Sequence, residues 1–303
     1  MVAVTGATGF IGTCLCERLL AEGFRVRALV RNPDKASHLV ALGATLVAGD
    51  LANTAALLQF VTGCDAVVHG AGAVRGNSQG DFDRVNVAGT AALLAAIQSQ
   101  SHPPPLLLLS SITAREPQLS WYARSKREGE KVVEACAGID RIILRPPAVY
   151  GPGDREMLPI FQWMRRGIAL VPGSPDARNS LIHVTDLVDA IVTCLRTGGA
   201  NGLTLPLCDG KRDGYSWREM AAIAGQHWSR PVRLWRVPRR LLDAVAALNS
   251  RIAGFTGRAP MLTPPKLREL RHTDWVVNND AITAATGWTP RVALRDGLDL
   301  LKL

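Results

Sequence analysis

The amino-acid sequence predicts an α/β protein, in which a doubly wound parallel sheet is followed by a smaller, mostly helical C-terminal lobe. Three observations lead to this fold class. Short runs that are apolar almost throughout alternate with helical patterns up to about residue 150. Strands of that kind are typical of a parallel sheet covered by helices on both faces. A glycine-rich turn follows the first run, and the pattern becomes irregular after the last one.

The predicted elements alternate in order along the chain. The strands cover residues 1–5, 24–30, 44–50, 64–70, 105–111 and 141–146. The helices between them cover residues 10–22, 33–42, 54–61, 81–100 and 120–137. Pro33 suits a first helical turn, and Asn53 suits an N-cap. Right-handed crossovers between such strands produce a doubly wound sheet.

Clusters of proline and glycine break this alternation after about residue 150. A further strand–helix unit is predicted over residues 182–195, and short helices over residues 216–227, 238–254, 278–286 and 294–302. We therefore predict a sheet domain over residues 1–170, to which residues 181–200 return. Residues 171–303 are predicted to form a separate lobe that closes over the sheet.

The composition excludes several classes of protein. The chain has 303 residues, of which 47% are hydrophobic, and no apolar run is long enough to span a membrane. Its net charge of +9 includes no block of cations that would form a nucleic-acid-binding tail, so we expect no nucleic-acid partner. The six cysteines are scattered without metal-binding spacing. We expect reduced thiols, no metal site, no signal peptide and a cytoplasmic location.

The glycine-rich turn has the sequence TGATGFIG, with Gly6, Gly9 and Gly12 between the first strand and the first helix. The first glycine allows a tight turn, the second allows the backbone to approach a phosphate, and the third allows the helix to pack closely on the strand. The N-terminus of the helix then presents free N–H groups to a pyrophosphate. The position of the turn favours a dinucleotide site of the Rossmann type.

This turn resembles that of the extended short-chain dehydrogenase/reductase family, and further matches follow in the family's order. They are Gly49-Asp50-Leu51, His69 to Ala73 (HGAGA), Asn86 to Thr90 (NVAGT), Ser110-Ser111, Tyr122 to Lys126 (YARSK), Arg145 to Gly153 (RPPAVYGPG) and His183 to Asp186 (HVTD). The resemblance covers nearly the whole chain and implies a Rossmann domain with a substrate-binding lobe.

The resemblance implies which residues hold an NAD(P) cofactor. They are Gly6, Thr8, Gly9, Phe10, Ile11, Gly12, Arg31, Asp50, Leu51, Ala71, Gly72, Ala73, Tyr122, Lys126, Pro146, Ala148 and Val149. It also implies that Ser111, Tyr122 and Lys126 are the catalytic residues.

The spacing of Tyr122 and Lys126 places them on one face of a helix. We expect the ammonium group to lower the pKa of the phenol, so that Tyr122 exchanges a proton with a substrate oxygen. Ser111 ends a strand, where its hydroxyl can polarise that oxygen; Ser110 and Thr113 are weaker candidates. The alternative is that Tyr122 is a surface aromatic and that Lys126 pairs with Glu130.

The end of the second strand bears on the choice of cofactor. It carries Arg31 where an acidic residue would bind the ribose 2′-hydroxyl group of NAD. A cation there suits the 2′-phosphate of NADP, and Arg27 lies further back. We expect NADP, with NAD as the alternative if the arginine stacks on adenine.

The sequence is compatible with three functions, and its motifs favour them in the following order. The segment RPPAVYGPG resembles the reductase and 3β-hydroxysteroid dehydrogenase-type branch, because Ala148 stands where sugar-nucleotide enzymes carry asparagine. Alcohol–ketone oxidoreduction is therefore favoured. An apolar or lipid-like substrate is a further expectation, which rests on residues 236–255. An NDP-sugar epimerase comes second, supported by Arg178, which resembles the family's substrate-phosphate arginine. A non-catalytic NAD(P)-binding subunit comes third, because such relatives typically lose the tyrosine or the lysine.

Residues 236–255 form an apolar helical stripe flanked by arginines. The favoured interpretation is a lobe helix that packs on the core. The alternative is an amphipathic surface that contacts anionic lipid as a peripheral membrane site. A homodimer is a further expectation, because relatives often pair through helices of the sheet face.

Overall fold

The computed structural model describes residues 1–256 and 262–301. Its strands are β1 (Val2–Thr5), β2 (Val26–Val30), β3 (Thr45–Ala48), β4 (Ala66–His69), β5 (Leu106–Leu109), β6 (Arg141–Arg145), β7 (Ala148–Tyr150), β8 (Ile168–Val171), β9 (Arg178–Asn179), β10 (Leu181–His183), β11 (Thr204–Pro206), β12 (Tyr215–Ser216), β13 (Arg233–Arg236) and β14 (Asp274–Trp275).

The α-helices alternate with these strands in the first half of the chain and dominate the second half. They are α1 (Phe10–Ala21), α2 (Ser37–Ala41), α3 (Thr54–Val61), α4 (Gln79–Asp83), α5 (Gly89–Gln98), α6 (Trp121–Ala135), α7 (Leu158–Arg165), α8 (Val184–Thr197), α9 (Trp217–His227), α10 (Arg239–Thr256), α11 (Pro264–Leu270), α12 (Asp280–Thr286) and α13 (Leu294–Asp299). The predicted helix over 294–302 is longer than α13, and residues 302 and 303 lie outside the described residues.

The central sheet has seven parallel strands in the order β11-β6-β5-β4-β1-β2-β3. The strand order reverses between β1 and β4, and a crevice forms at the carboxyl ends of the strands at such a point. The predicted doubly wound α/β fold is confirmed. Strand β11 is an addition that the sequence pattern does not predict, because it is three residues long and follows a loop.

Helices cover both faces of this sheet. On one face α1 and α8 share an apolar core with β1, β2 and β6, in which Leu15, Leu19 and Ile191 are fully buried. On the other face α3, α5 and α6 pack through side chains such as Phe60 and Leu93. The near-continuous apolar character of the strands is therefore explained by burial on both faces.

A separate apolar cluster lies among α7, α9 and α13 and contains Tyr150, Phe161 and Met164. Two small sheets border this cluster, one formed by β7 and β10 and the other by β8 and β13. Strand β9, which consists of Arg178 and Asn179, pairs with β12 and β14 in a third small sheet. These strands have two to four residues, so no periodic pattern predicts most of them. The exception is β10, which with α8 forms the strand–helix unit predicted over residues 182–195.

The segment predicted as one helix over 81–100 is interrupted in the structure. A π-helical turn, Arg84–Ala88, separates α4 from α5. The carbonyl oxygen of Asn86 in this turn lies 2.4 Å from the position that a Cβ on Gly129 would take. Helix α6 therefore approaches the turn so closely that only glycine fits at position 129.

Helix α10 contradicts the favoured prediction for its apolar stripe. Leu241, Val245 and Leu248 are 55%, 39% and 56% exposed, whereas Ala246 is fully buried. The helix packs through the face that holds Ala246, which lies about 130° around the helix axis from the centre of the stripe. Among the described residues, no helix is long and apolar enough to cross a bilayer.

Candidate active site

The glycine turn has the geometry that its sequence predicts. Gly6 has a φ of +74°, and a Cβ there would lie 2.7 Å from the backbone nitrogen of Ala71. A Cβ on Gly12 would lie 2.1 Å from the carbonyl oxygen of Gly6. Both positions require glycine, because the turn contacts the loop after β4 on one side and the first turn of α1 on the other.

The N-terminus of α1 suits a pyrophosphate group. Gly9 is the N-cap and provides no side-chain acceptor for the first-turn N–H groups, and both Thr8 and Gly9 are exposed. Phe10 and Ile11 are half-buried, and Phe10 lies 3.7 Å from the position of a Cβ on Gly153. These N–H groups and the positive end of the helix dipole fit an anionic dinucleotide.

A chain of buried hydrogen bonds joins this turn to the neighbouring elements. The backbone N–H of Ala71 donates to Thr5 Oγ1 over 3.1 Å, and Thr5 Oγ1 lies 2.7 Å from His69 Nδ1. His69 Nε2 lies 3.0 Å from Thr90 Oγ1, which donates to the carbonyl oxygen of Asn86. Since each hydroxyl has one proton, His69 must accept at Nδ1 and donate at Nε2.

Burial favours this neutral form of the imidazole. The pKa of His69 is lowered to about 3, first by burial and then by the charge of Lys126. His69 is therefore neutral near pH 7 and joins β1 and β4 to α5 through Thr5 and Thr90. It is a structural residue beside the site.

The side chain of Asn86 fixes the loop after β4 to helix α6. It accepts from the backbone N–H of Ala73 over 2.8 Å and donates to the carbonyl oxygen of Ala73 over 3.0 Å. It also donates to Ser125 Oγ over 2.8 Å. Ala71 and Ala73 are half-buried and Gly72 is exposed, so a side chain at position 72 would fill the space beside the Lys126 amino group.

Ser111, Tyr122 and Lys126 are brought together at the carboxyl end of β5. The ammonium group of Lys126 donates to the carbonyl oxygen of Leu109, at the last residue of β5, over 2.9 Å. It also lies 6.0 Å from the centroid of the Tyr122 ring. The hydroxyl of Ser111 lies near enough to the Tyr122 phenol to lower its pKa. The three residues occupy the crevice end of the sheet, where ligands bind in such folds.

Hydrogen bonds distinguish Ser111 from the other two hydroxyl candidates. Ser110 donates to Glu130 over 2.6 Å, in a buried contact that also includes Arg145. Thr113 donates its hydroxyl to Ser111 Oγ over 3.0 Å. Ser111 receives that bond and one from the Thr113 N–H, so its own proton is available for a neighbouring oxygen.

The alternative interpretation of Lys126 as a partner of Glu130 has no support among the hydrogen bonds. Glu130 is fully buried and is bound by Arg145 through Nε over 2.8 Å and through a second nitrogen over 2.6 Å. Arg127 adds a second cation at 3.0 Å. This cluster joins β6 to α6 and leaves Lys126 to the site.

The pKa of Tyr122 differs from the expectation. The sequence predicts a pKa lowered by Lys126, whereas in the structure the pKa of Tyr122 is raised, first by burial and then by the charge of Glu269. The nearby hydroxyl of Ser111 opposes this rise in pKa. The predicted lowering of the Tyr122 pKa is therefore wrong. Lys126 donates a hydrogen bond to the Leu109 carbonyl group, and the desolvation of the phenol has the largest effect on its pKa.

Helix α11 supplies two charged residues that sequence reasoning missed. The ammonium group of Lys266 lies 5.6 Å from the centroid of the Tyr122 ring, and Lys266 pairs with Glu269. Glu269 is 5% exposed and accepts from Ser120 Oγ over 2.7 Å. Thr263 is the N-cap of α11, and two prolines follow it in the first turn. This pattern is typical of a helix start and could have predicted α11 from the sequence.

The residues predicted at the adenosine end line the edge formed by β2 and β3. Arg31 directly follows β2 and is exposed, and Asp50 follows β3 and accepts from the N–H of Ala52 over 2.9 Å. Leu51 is half-buried and packs close to Gly89. Arg27 points elsewhere, because its guanidinium donates to three carbonyl groups at the C-terminus of α3.

The segment after β6 lies beside the catalytic group. The carbonyl oxygen of Pro146 accepts from the N–H of Ile112, one residue after Ser111, over 2.9 Å. Ala148 and Val149 form the start of β7 and are half-buried. The segment is therefore hydrogen-bonded to the chain that carries the catalytic serine.

Comparison with known proteins agrees with this geometry. Residues 2–204 match the model of the NAD dependent epimerase/dehydratase family. The chain belongs to this family. Its assignment to the extended short-chain dehydrogenase/reductases is confirmed by the match and by reductase relatives.

Two reductases are similar to this family member in sequence. A ceramide reductase of Caulobacter vibrioides is 37% identical over 297 residues, which cover 98% of this chain and 92% of that protein. A 2-alkyl-3-oxoalkanoate reductase of Shewanella oneidensis is 30% identical over 237 residues, 69% of this chain and 59% of that protein.

Solved structures of the family share the fold. A UDP-glucuronic acid 4-epimerase of Bacillus cereus, in complex with UDP-glucuronic acid and NAD, has a TM-score of 0.75 at 20% identity. The match covers 99% of this chain and 96% of that one. At this identity the likeness establishes the fold of this family member alone.

In the structure, Arg178 bonds to residues of the C-terminal lobe. Its guanidinium donates to the carbonyl groups of Asp213 and Gly214 and pairs with Glu219 at 3.2 Å. These bonds join β9 to the start of α9. Within the part of the chain that the structure describes, Arg178 forms no hydrogen bond or ion pair with the catalytic group.

Replacement of Glu269 by glutamine tests the electrostatics at Tyr122. Without the buried negative charge the pKa of Tyr122 should fall, and a charge of this kind is worth roughly one pH unit. Alcohol oxidation requires the phenolate, so the acidic limb of the kcat/KM profile for oxidation should move to lower pH. Glutamine retains an acceptor for Ser120, which preserves the packing.

Glu128→Gln is the matched control, because Glu128 lies on α6 but pairs with Lys131 at the surface. Its pH profile should match that of the wild type. An unchanged profile for Glu269→Gln, or a limb moved to higher pH, would contradict the electrostatic role.

Proposed function

We propose that this protein is an NAD(P)-dependent reductase that interconverts a ketone and a secondary alcohol on an apolar, lipid-like substrate. The observation that carries the proposal is the grouping of Ser111, Tyr122 and Lys126 beside the glycine turn. The similarity to the ceramide reductase over nearly the whole chain supports a long-chain substrate.

Each residue of the catalytic group has its own role in the proposed reaction. A bound NAD(P)H supplies hydride to the carbonyl carbon. Tyr122 gives its phenolic proton to the carbonyl oxygen, and the hydroxyl of Ser111 donates a hydrogen bond to the same oxygen. In ketone reduction the raised pKa of Tyr122 is useful, because it keeps the phenol protonated until the oxygen becomes basic.

Lys126 provides a nearby positive charge. Burial lowers its pKa to about 8, and the charge of Glu130 opposes this shift. The ammonium form therefore dominates near neutral pH. It favours the phenolate that Tyr122 becomes after proton transfer, and its remaining N–H groups can bind the nicotinamide ribose hydroxyls.

The walls of the cleft at Tyr122 contain apolar side chains that can contact a lipid-like substrate. They include Val74, Phe82, Trp121 and Pro265, together with the charged groups of Arg75 and Lys266. Arg75 pairs with Glu156 at 2.6 Å, which reduces its attraction for an anionic substrate. Arg178 is likewise paired, in its case with Glu219. Both arginines therefore already have a carboxylate partner that competes with the diphosphate of a sugar nucleotide.

A substrate panel tests the proposal. Consumption of NADPH and NADH is followed with long-chain β-keto amides, long-chain β-keto acids, short-chain ketones and UDP-sugars. We expect turnover with long-chain ketones at a kcat/KM at least tenfold above that for short-chain ketones. Epimerisation of UDP-sugars without net cofactor consumption would support the epimerase instead, and cofactor binding without any turnover would support a non-catalytic subunit.

NADP is the proposed cofactor because Arg31 is exposed at the end of β2. Arg31→Ala should raise the Kd for NADPH about tenfold while changing that for NADH less than twofold, since a charged hydrogen bond to the 2′-phosphate is worth about 1.5–3 kcal/mol. Fluorescence titration measures both constants. Arg25→Ala, which removes an exposed cation just before the other end of β2, is the control.

Equal weakening of NADH and NADPH by Arg31→Ala would show that the arginine stacks on adenine, as in the NAD alternative. We propose a cytoplasmic setting for the reaction, in keeping with six cysteines that are all free thiols.

A further inference from the structure

The outward side of α10 carries an apolar stripe that the fold leaves at the surface. At 100° per residue, Leu241, Val245, Leu248 and Ile252 lie within an arc of about 60°. Their exposed fractions are 55%, 39%, 56% and 48%. Four large aliphatic side chains at more than one-third exposure on one helix face form a continuous apolar strip rather than isolated surface residues.

Two arginines lie along one edge of this strip. Arg240 and Arg251 are both exposed, and on the helical wheel they are about 20° apart and about 100° from the centre of the strip. No carboxylate among the described residues pairs with either of them. The nearest acidic residue on the helix, Asp243, is bound by Arg271 at 2.7 Å. We call the four aliphatic residues and these two arginines the α10 face.

An exposed aromatic residue precedes the helix. Trp235 on β13 is 62% exposed, and its register partner on β8, Leu170, is 43% exposed. Arg236 follows it and is also exposed. Indole and guanidinium groups are the side chains that settle at the headgroup level of a bilayer, where one end is apolar and the other is hydrated.

We propose that the α10 face, together with Trp235, docks on the surface of an anionic phospholipid bilayer. The aliphatic residues would enter the region between headgroups and acyl chains, and Arg240 and Arg251 would contact lipid phosphates. The net charge of the whole chain is +9, which adds long-range attraction to an anionic surface.

Charge complementarity favours a bilayer over a second copy of the chain. The strip spans fewer than two heptads, whereas a stable coiled coil needs three or four. Pairing two α10 faces would also bring arginines together without acidic partners. An anionic lipid surface satisfies both the aliphatic residues and the cations.

Helix α11 connects the α10 face to the catalytic group. It packs against α10 and against α6, and it places Lys266 over the Tyr122 ring. A bilayer bound at α10 would therefore lie close in the fold to the cleft that holds Tyr122. Docking is a separate claim from the proposed reductase activity, because it is measured without substrate or cofactor.

Vesicle co-sedimentation tests the proposal with the full chain. Vesicles of equal parts phosphatidylglycerol and phosphatidylcholine are compared with vesicles of phosphatidylcholine alone. We expect binding to the anionic vesicles that is at least tenfold stronger and that weakens in high salt. The double variant Leu241→Ser/Leu248→Ser should lose at least tenfold in partitioning, and Arg240→Gln/Arg251→Gln should lose the preference for anionic vesicles.

The control is Val40→Ser/Leu42→Ser, which removes two aliphatic residues of similar exposure, 49% and 52%, near α2. It should bind like the wild type, and circular dichroism checks that every variant is folded. Absence of wild-type binding to anionic vesicles, or equal loss in the control, would overturn the proposal. A dimer in light scattering that Leu241→Ser/Leu248→Ser converts to a monomer would assign the face to a second copy instead.

Discussion

The close approach of helix α6 to the π-helical turn is the constraint on which the site depends. Gly129 allows α6 to come within reach of the Asn86 backbone, and the Asn86 side chain binds both Ser125 on α6 and Ala73 in the loop after β4. This arrangement fixes the helix that carries Tyr122 and Lys126 relative to the crevice of the sheet. A side chain at position 129 would separate the catalytic residues from the glycine turn.

Around that constraint, the polar groups of the site divide into those that hold the structure and those available for chemistry. His69, Ser110 and Glu130 are buried and have their hydrogen bonds satisfied by neighbouring elements. Ser111 retains a proton to donate, and Lys126 uses one of its N–H groups on the Leu109 carbonyl. This division explains why neighbouring serines at the end of one strand have different roles.

Most of the sheet could be predicted from the sequence, because burial on both faces makes β1, β2, β4, β5 and β6 apolar almost throughout. The glycine turn could be predicted equally well, since the positive φ of Gly6 and the contact between Gly12 and Gly6 both arise within a short segment. The interruption of the helix over 81–100 was not, because a π-helical turn leaves no distinct pattern in hydrophobicity.

The part of the site contributed by α11 could not be predicted either. Tertiary packing alone decides that Glu269 and Lys266 meet Tyr122, which is more than 140 residues earlier in the sequence. The same holds for the orientation of α10. This helix carries apolar residues on more than one face, and only the packing of Ala246 shows which face is buried.

The most direct measurement is the steady-state kinetics of Tyr122→Phe on a ketone that the wild type reduces, with NADPH binding measured in parallel. The account predicts that kcat falls by about 10²–10⁴-fold, because the proton donor is lost, while the Kd for NADPH stays within twofold. Tyr150→Phe is the matched control, since the Tyr150 hydroxyl forms no hydrogen bond with the described residues. Wild-type turnover by Tyr122→Phe would contradict the assignment of Tyr122 as the proton donor.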